Sequence, residues 1–230
     1  MLRTKSLHAH YGMFQALFGI AVSVARGEVV SLIGANGAGK STLLRAIVGA
    51  VHVSAPSVLL DDKPIGGSAE IEQLKRGIAL VPEGRRLFPS LTVEENLLLA
   101  ARNGRRGPWT PGRLYRELPV LDELRSRPAT ALSGGQQQLV AVGRALVTNP
   151  DFLLCDEISL GLSPVAVDAV YGLLGTVIDQ GTAIVLVEQN VRRALSKSSR
   201  YYCMLKGKVV LEGNSGTADY ARVSAAYFGD

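Results

Sequence analysis

The stretch "GANGAGKST", from Gly34 to Thr42, decides the fold because its glycine, lysine and hydroxyl residues have the spacing of a phosphate-binding loop. An apolar run, "VVSLI", precedes the stretch, and the helical pattern "STLLRAI" overlaps its end. A strand, a glycine-rich loop and a helix in this order direct backbone N–H groups at phosphate oxygens. The stretch therefore predicts a nucleotide site at the end of a buried strand.

Each position of the loop has a predicted role in holding phosphate. Lys40 would reach the β- and γ-phosphates, and the Ser41 hydroxyl would bind Mg²⁺. The other positions would surround the phosphates with backbone groups: Gly34, Ala35, Asn36, Gly37, Ala38, Gly39 and Thr42. The strand–loop–helix context separates this motif from an ordinary glycine-rich turn.

A second apolar run, "FLLCDE" from Phe152 to Glu157, ends in two carboxylates. Its four apolar residues predict a buried strand, and Asp156 and Glu157 follow where that strand ends. Alone, this pattern is typical of a strand that ends in a turn. Because a phosphate-binding loop lies upstream, we interpret the two carboxylates as catalytic groups. Asp156 would bind Mg²⁺, and Glu157 would orient or deprotonate the attacking water.

Short apolar strands alternate with helical stretches along most of the chain, which favours a largely parallel sheet covered on both faces. The middle of the chain differs, because residues 88–150 are predicted to be mainly helical. The expected fold class is therefore α/β, with a P-loop NTPase core. Residues 1–230 are predicted to form one domain, into which residues 88–150 are inserted as a helical subdomain.

The composition excludes several other classes of protein. The chain has 230 residues, of which 47% are hydrophobic and 20% charged, as in globular proteins with a sizeable core. No apolar run approaches the roughly 18–20 residues that span a bilayer, and the first residues lack a signal-peptide core, so we expect a cytoplasmic protein.

The net charge is +5, but the scattered arginines favour a solvated face over nucleic-acid binding. Cys155 and Cys203 are expected in the core.

The stretch "LSGGQ", from Leu132 to Gln136, points to a family. Ser133 and two glycines at the start of a helix form a second anion-binding helix N-terminus. One chain does not need two such sites for one nucleotide. With the phosphate-binding loop and "LLCDE" in the same order and at similar spacing, the chain resembles the ATP-binding cassette (ABC) ATPases over nearly its whole length.

This resemblance implies an ATPase in which two subunits, arranged head to tail, enclose ATP and Mg²⁺. In that family the LSGGQ segment of one subunit closes over the γ-phosphate held by the other. Four residues would act in this way on the partner's nucleotide: Ser133, Gly134, Gly135 and Gln136. Tyr11 stands where the family has an aromatic residue that stacks on adenine. The implied fold adds a small antiparallel β subdomain and the inserted helical subdomain.

Three longer stretches, "LVPEGRRLFPSLTVEENLLLA", "DEISLGLSP" and "LVEQNVRRAL", resemble one ATPase subunit of the branched-chain amino-acid importers. The resemblance implies integral membrane permease subunits as partners, contacted through residues 83–96. It also implies a second ATPase subunit, identical or different, and indirectly an extracytoplasmic solute-binding protein. The chain would then lie on the inner face of the cell membrane, held there by the permease.

Three positions depart from the usual ABC pattern. Glu83 replaces a glutamine that binds Mg²⁺ and water, and its carboxylate can still bind the metal. Ser163 replaces an aspartate that bridges the dimer. Gln189 stands where most ABC ATPases have a histidine that contacts the γ-phosphate, and its amide can donate a hydrogen bond but cannot become cationic. Its neighbours Glu188 and Asn190 are expected to shape the loop.

Other functions stay open at this stage. A urea or amide importer is an alternative, because the ATPase subunit never touches the transported solute. A soluble ABC ATPase of DNA repair or translation fits the basic charge, but such proteins usually carry a long coiled-coil insertion or two cassettes. A small-molecule kinase with a phosphate-binding loop would leave "LSGGQ" unexplained.

Overall fold

The structure is a computed structural model that describes residues 1–229. The strands are β1 (Leu2–Thr4), β2 (Leu7–Tyr11), β3 (Phe14–Ile20), β4 (Ser23–Val24), β5 (Val29–Ile33), β6 (Val58–Leu60), β7 (Lys63–Pro64), β8 (Ile78–Val81), β9 (Phe152–Asp156), β10 (Ala183–Glu188), β11 (Arg200–Leu205) and β12 (Lys208–Asn214). The helices are α1 (Lys40–Ile47), α2 (Glu70–Lys75), α3 (Val93–Asn103), α4 (Pro111–Glu117), α5 (Pro119–Glu123), α6 (Gly134–Leu146), α7 (Pro164–Asp179), α8 (Val191–Lys197) and α9 (Tyr220–Phe228). Short 3₁₀ turns occupy Ala55–Ser57, Ala129–Ala131 and Ser215–Thr217.

The central sheet has the strand order β12-β11-β5-β10-β9-β8, and its strands run parallel except for β12. Because β5, β10 and β9 are neighbours, their carboxyl ends meet at one edge of the sheet. The phosphate-binding loop, Gln189 and the Asp156–Glu157 pair lie at those three ends. The mostly parallel α/β fold expected from the sequence is confirmed, and its topology gathers the predicted catalytic groups.

Side chains of the central strands point alternately into two cores, as successive residues of a strand must. On β10, Val185 and Val187 pack in the core that includes α1, whereas Ile184 and Leu186 pack in the core that includes α6 and α7. The same alternation directs Glu188 toward α7. Gln189, one residue further, faces the phosphate-binding loop.

Antiparallel strands near the N-terminus form the small β region that the resemblance implies. One sheet has the order β4-β1-β6-β7, and β2 and β3 form a hairpin beside it. The β3 strand also contacts the turn between β11 and β12, since Phe18 N donates to Gly207 O at 2.9 Å. This contact brings the aromatic residues of the hairpin to the phosphate-binding loop.

Helices α3 to α6 lie between β8 and β9, within the predicted insert at residues 88–150. A capping box starts α3: the Thr92 hydroxyl accepts from Glu95 N at 3.1 Å, and the Glu95 carboxylate accepts from Thr92 N at 2.8 Å. Pro119 separates α4 from α5, as expected from its missing N–H group. That these helices behave as a separate subdomain remains a prediction.

Both cysteines have no exposed surface, so their expected place in the core is confirmed. Throughout residues 1–229, the helices are all too short or too polar to cross a bilayer.

Candidate active site

The phosphate-binding loop leaves β5 and enters α1 where neighbouring backbone leaves no room for a side chain. A Cβ atom on Gly34 would lie 2.4 Å from the Met204 carbonyl oxygen. Gly39 has a φ of 102°, and a Cβ atom there would lie 2.7 Å from the Leu17 side chain. Glycine at both positions therefore allows the close packing that holds the loop over the N-terminus of α1, where anions bind.

Lys40 is buried at the floor of the site, with 5% of its surface exposed. Its ammonium group donates to Gly34 O at 2.6 Å and Ala35 O at 3.1 Å, and lies 3.7 Å from a Glu157 carboxylate oxygen. Burial lowers the pKa of Lys40, and the charges of Glu157 and Asp156 oppose that shift. A phosphate would give this desolvated cation a stronger partner than the carbonyl oxygens do.

Ser41 and Asp156 form the oxygen pair that the sequence predicted for a metal ion. The Ser41 hydroxyl donates to Asp156 Oδ1 at 2.9 Å, and Glu83 lines the same cleft. Burial raises the pKa of Asp156, so a divalent cation would stabilise its charged form. Residues 1–229 contain no cluster of three or more His, Cys, Asp or Glu side chains around a metal position. The set suits Mg²⁺, which usually takes one or two carboxylates, with phosphate and water oxygens completing its shell.

Glu157 and Gln189 face each other across the ends of β9 and β10. The Gln189 amide donates to Glu157 Oε2 at 2.6 Å and to Asn36 Oδ1 at 3.1 Å. Glu157 has a φ of 50°, a left-handed conformation that costs a non-glycine residue about 1–3 kcal/mol. Its N–H group donates to Val187 O at 3.2 Å, which helps to hold this conformation. Gln189 thus links the two strand ends to the phosphate-binding loop and orients the carboxylate.

The remaining polar residues after β10 have other contacts. The Asn190 side chain accepts from Arg193 N at 3.0 Å and so caps α8. Glu188 points to the opposite face of the sheet and is buried there. That Glu188 and Asn190 shape the loop stays a prediction.

These groups open into a cleft of about 740 Å³, within the range of small-molecule sites. The predicted residues that line it are Tyr11, Asn36, Gly37, Gly39, Lys40, Ser41, Thr42, Glu83, Glu157 and Gln189. Gly34, Ala35 and Ala38 do not line it, but they form the frame of the loop, and Asp156 contacts it through Ser41.

The open end of the cleft has an aromatic wall that sequence reasoning found only in part. Tyr11 is half-exposed, and its hydroxyl lies 3.5 Å from the Thr42 hydroxyl. Phe14 and Phe18 are also exposed and line the cleft, together with Lys206. The aromatic residues of "YGMFQALF" were the available signal for this wall. Lys206 gave none, because only the fold brings the β11–β12 turn to this site.

The LSGGQ segment lies outside this cleft. Ser133 is exposed and caps α6, with Gln136 completing a capping box. Glycine at 135 is needed for packing, because a Cβ there would lie 2.8 Å from the Ala166 side chain. A Cβ on Gly134 would displace only the flexible Arg85 guanidinium, 2.9 Å away. Residues 133–136 are therefore not brought to the phosphate-binding loop of the same chain.

Ser163, predicted to face the dimer, is the N-cap of α7. Its hydroxyl accepts from Ala166 N at 3.4 Å, directly before Pro164 at the first helical position. N-capping of α7 is by itself a sufficient reason for a serine at this position.

Comparison with known proteins gives concordant matches. The family model described as "ABC transporter" matches residues 17–159. The chain is 37% identical to the high-affinity branched-chain amino acid transport ATP-binding protein BraG of Pseudomonas aeruginosa, covering 100% of both chains. It is 36% identical to the probable branched-chain amino acid transport ATP-binding protein LivF of Archaeoglobus fulgidus, covering 94% of this chain and 92% of the relative.

A solved structure is also similar. It is the dimeric post-hydrolysis state of an ATP-binding cassette bound to ADP and phosphate. The superposition has a TM-score of 0.82 at 26% identity and covers 94% of this chain and 99% of the other. The likeness therefore extends over the whole fold.

Proposed function

This chain belongs to the ABC transporter family and is its ATP-hydrolysing cassette, and we propose that it powers import of branched-chain amino acids through a separate membrane permease. One observation carries the catalytic part: the Glu157 carboxylate lies 3.7 Å from the Lys40 ammonium and is hydrogen-bonded by Gln189 in the cleft. The transport part is supported by the full-length likeness to BraG.

In the proposed complex, the loop N–H groups and Lys40 hold the triphosphate of ATP, and Tyr11 stacks on the adenine. Ser41, Asp156 and Glu83 would hold Mg²⁺, which would supply positive charge against the phosphate oxygens. The cleft supports this arrangement because the phosphate-binding loop and the aromatic residues line one continuous cavity, with the Tyr11 hydroxyl 3.5 Å from that of Thr42.

Glu157 is the proposed general base. A water molecule attacks the γ-phosphorus, the bond to the bridging oxygen of ADP breaks, and the Glu157 carboxylate accepts the proton of the water. Gln189 keeps Glu157 Oε2 oriented through one N–H of its amide. The other N–H, which donates to Asn36 Oδ1 in the structure, would turn to a γ-phosphate oxygen when ATP binds. The 2.6 Å contact between Gln189 and Glu157 supports this joint role.

The site is completed in trans by a second ATPase subunit, identical or different, arranged head to tail. Ser133, Gly134, Gly135 and Gln136 would contribute to the partner's nucleotide. Two observations support this: Ser133 at the N-terminus of α6 is exposed, and residues 133–136 lie outside the cleft of their own chain. The similar cassette of known structure is a dimer bound to ADP and phosphate.

The permease would dock in an apolar groove between α2, α3 and α6, of about 600 Å³. Ile71, Phe88 and Leu99 line this groove and are each 37–47% exposed. Phe88 belongs to the stretch at residues 83–96 whose sequence resembles the importer subunits. Docking here would hold the chain on the cytoplasmic face of the cell membrane, with a solute-binding protein acting from the other side.

Removing the Tyr11 ring is expected to raise the KM for ATP about tenfold, because stacking of a base on an aromatic side chain contributes about 1–3 kcal/mol. Tyr11→Phe keeps the ring and should change KM less than about twofold. Steady-state ATPase assays on Tyr11→Ala and Tyr11→Phe test this. Phe14→Ala is the matched comparison, and a larger rise in KM there would assign the adenine to Phe14 instead.

A histidine in place of Gln189 is expected to raise kcat and to introduce a pH dependence near about 6.5, the usual pKa of histidine. The imidazolium form adds positive charge beside the phosphate, so the gain over wild type should grow as pH falls through that range. ATPase rates of Gln189→His between about pH 6 and 8 test this. Gln180→His, at an exposed glutamine after α7, is the control. Equal turnover and an equal pH profile in both variants would contradict the proposed role of Gln189.

Transport is tested by ATP-driven uptake into vesicles that hold the permease, this chain and a second ATPase subunit. We expect accumulation of leucine, isoleucine or valine that requires ATP on the side of the ATPases. Accumulation of urea or a short amide, without branched-chain amino acids, would replace the proposed solute. Uptake that does not need this chain would contradict its role in transport.

A further inference from the structure

Glu188 is a buried carboxylate that the proposed chemistry does not use. It is 2% exposed and is the last residue of β10, directly before Gln189. An isolated buried carboxylate is costly unless hydrogen bonds or an opposite charge stabilise it. Its partners therefore decide what this residue is for.

Those partners come from three segments that surround the end of β10. The Ser159 hydroxyl donates to Glu188 Oε1 at 2.7 Å, and the Tyr171 hydroxyl of α7 donates to the same oxygen. Arg193 of α8 lies 3.9 Å from Glu188 Oε2 and donates to the Ser159 hydroxyl at 2.9 Å. Burial and the charge of Glu188 raise the pKa of Tyr171, so its phenol stays protonated and donates.

Ser159 is the partner that connects this network to the cleft, because it lies two residues after Glu157. The intervening backbone is a tight turn, in which Leu160 N donates to Glu157 O at 3.1 Å and Leu162 N to Ser159 O at 3.4 Å. Glu157 itself holds a left-handed backbone conformation with a φ of 50°. Anchoring Ser159 restricts this turn and therefore the direction of the Glu157 side chain.

We propose that Glu188 is a positioning residue for ATP hydrolysis: by holding Ser159, it fixes the turn that directs Glu157 into the cleft. The role rests on the proposed function of Glu157 as general base. Gln189, the residue after β10, orients the same carboxylate directly, so two consecutive residues hold the catalytic group from two sides. Arg193 balances the buried charge and closes the network on Ser159.

The test compares Glu188→Gln, Ser159→Ala and Tyr171→Phe in the full chain. For the first two variants, kcat is expected to fall on the order of tenfold, because small displacements of a catalytic group are costly. KM for ATP should stay within about twofold, since the phosphate-binding loop keeps its contacts. Tyr171→Phe should have a smaller effect, as the bond between Ser159 and Glu188 remains. The double variant Glu188→Gln/Ser159→Ala should be little worse than the worse single variant, because Glu188→Gln weakens, by loss of charge, the same hydrogen bond that Ser159→Ala removes.

Tyr202→Phe is the control, since it removes a buried hydroxyl that is hydrogen-bonded to Ser23 and Arg200, away from the cleft. Suppose that Tyr202→Phe and Glu188→Gln have the same Tm and lose the same fraction of kcat. The loss would then reflect general destabilisation, and the proposal would be overturned. Independent, multiplicative losses in the double variant would also overturn it. Should Glu188→Gln not fold, Ser159→Ala and Tyr171→Phe decide, and wild-type kcat in both contradicts the role.

The failure of this role differs from failure of the proposed function. Wild-type hydrolysis of ATP with unchanged kcat in Ser159→Ala and Glu188→Gln would contradict the positioning role alone. A wild-type chain that binds ATP without hydrolysing it, even with its partner subunits, would contradict the general-base mechanism and this role together.

Discussion

Glu157→Gln is expected to lower kcat for ATP hydrolysis by about a thousandfold, within the range that general bases contribute. The amide has nearly the same shape but cannot accept the proton of the attacking water. KM or Kd for ATP should change less than about threefold, because Lys40 and the loop N–H groups are unaffected. Retained ATP binding with lost turnover is the signature of a base rather than a binding residue.

The measurement is phosphate release at saturating ATP, with nucleotide binding measured separately on the same protein. Glu212→Gln is the matched control, since it makes the same change at an exposed position of β12. Hydrolysis by Glu157→Gln at more than about a tenth of the wild-type rate would show that another group accepts the proton.

Lys40→Ala is expected to weaken ATP binding by about a hundredfold, because it removes the buried cation that faces the phosphates. Hydrogen bonds to charged groups contribute roughly 1.5–3 kcal/mol each, and an ammonium group can make more than one. Titration with a fluorescent ATP analogue measures the effect. Lys5→Ala, at an exposed lysine after β1, should bind ATP as the wild type does.

Folding should not suffer from this substitution. Burial lowers the pKa of Lys40, which means that the folded state disfavours its charged form relative to solvent. This cost and the hydrogen bonds of the ammonium group to Gly34 O and Ala35 O oppose each other, so Lys40→Ala should keep a Tm close to that of the wild type. If the Tm of Lys40→Ala fell sharply, misfolding would explain its weak ATP binding. That result would contradict a direct role for the ammonium group in binding.

Features written into a few neighbouring residues were predictable from the sequence. The turn from β5 into α1 follows from glycine spacing, and the start of α7 follows from Ser163 and Pro164. The strand that ends in Asp156 and Glu157 follows from four apolar residues before two carboxylates. Local chemistry alone determines each of these features.

Features that depend on strand order and on helix rotation were not predictable. Because β9 and β10 are neighbours, the Gln189 amide nitrogen lies 2.6 Å from Glu157 Oε2. No local sequence pattern predicts that these two strands are paired. The buried network of Glu188 needs Tyr171 on the inner face of α7, which only the packed structure defines. Lys206 reaches the cleft because the β11–β12 turn bonds to β3 far away in the chain.

The N-terminus of α6 was difficult to interpret from the sequence for a different reason. Its sequence predicted an anion-binding segment, and the structure places that segment outside the cleft of its own chain. The fold of one chain therefore shows that this segment does not contact the nucleotide site of the same chain.

A crystal structure of Glu157→Gln bound to ATP and Mg²⁺ tests the central claim most directly. We expect two chains head to tail, with each γ-phosphate within about 3 Å of Lys40 of one chain and Ser133 of the other. We also expect Ser41 and Asp156 beside the metal. Nucleotide bound outside the cleft, or a closed dimer in which residues 133–136 stay away from the phosphate, would contradict it.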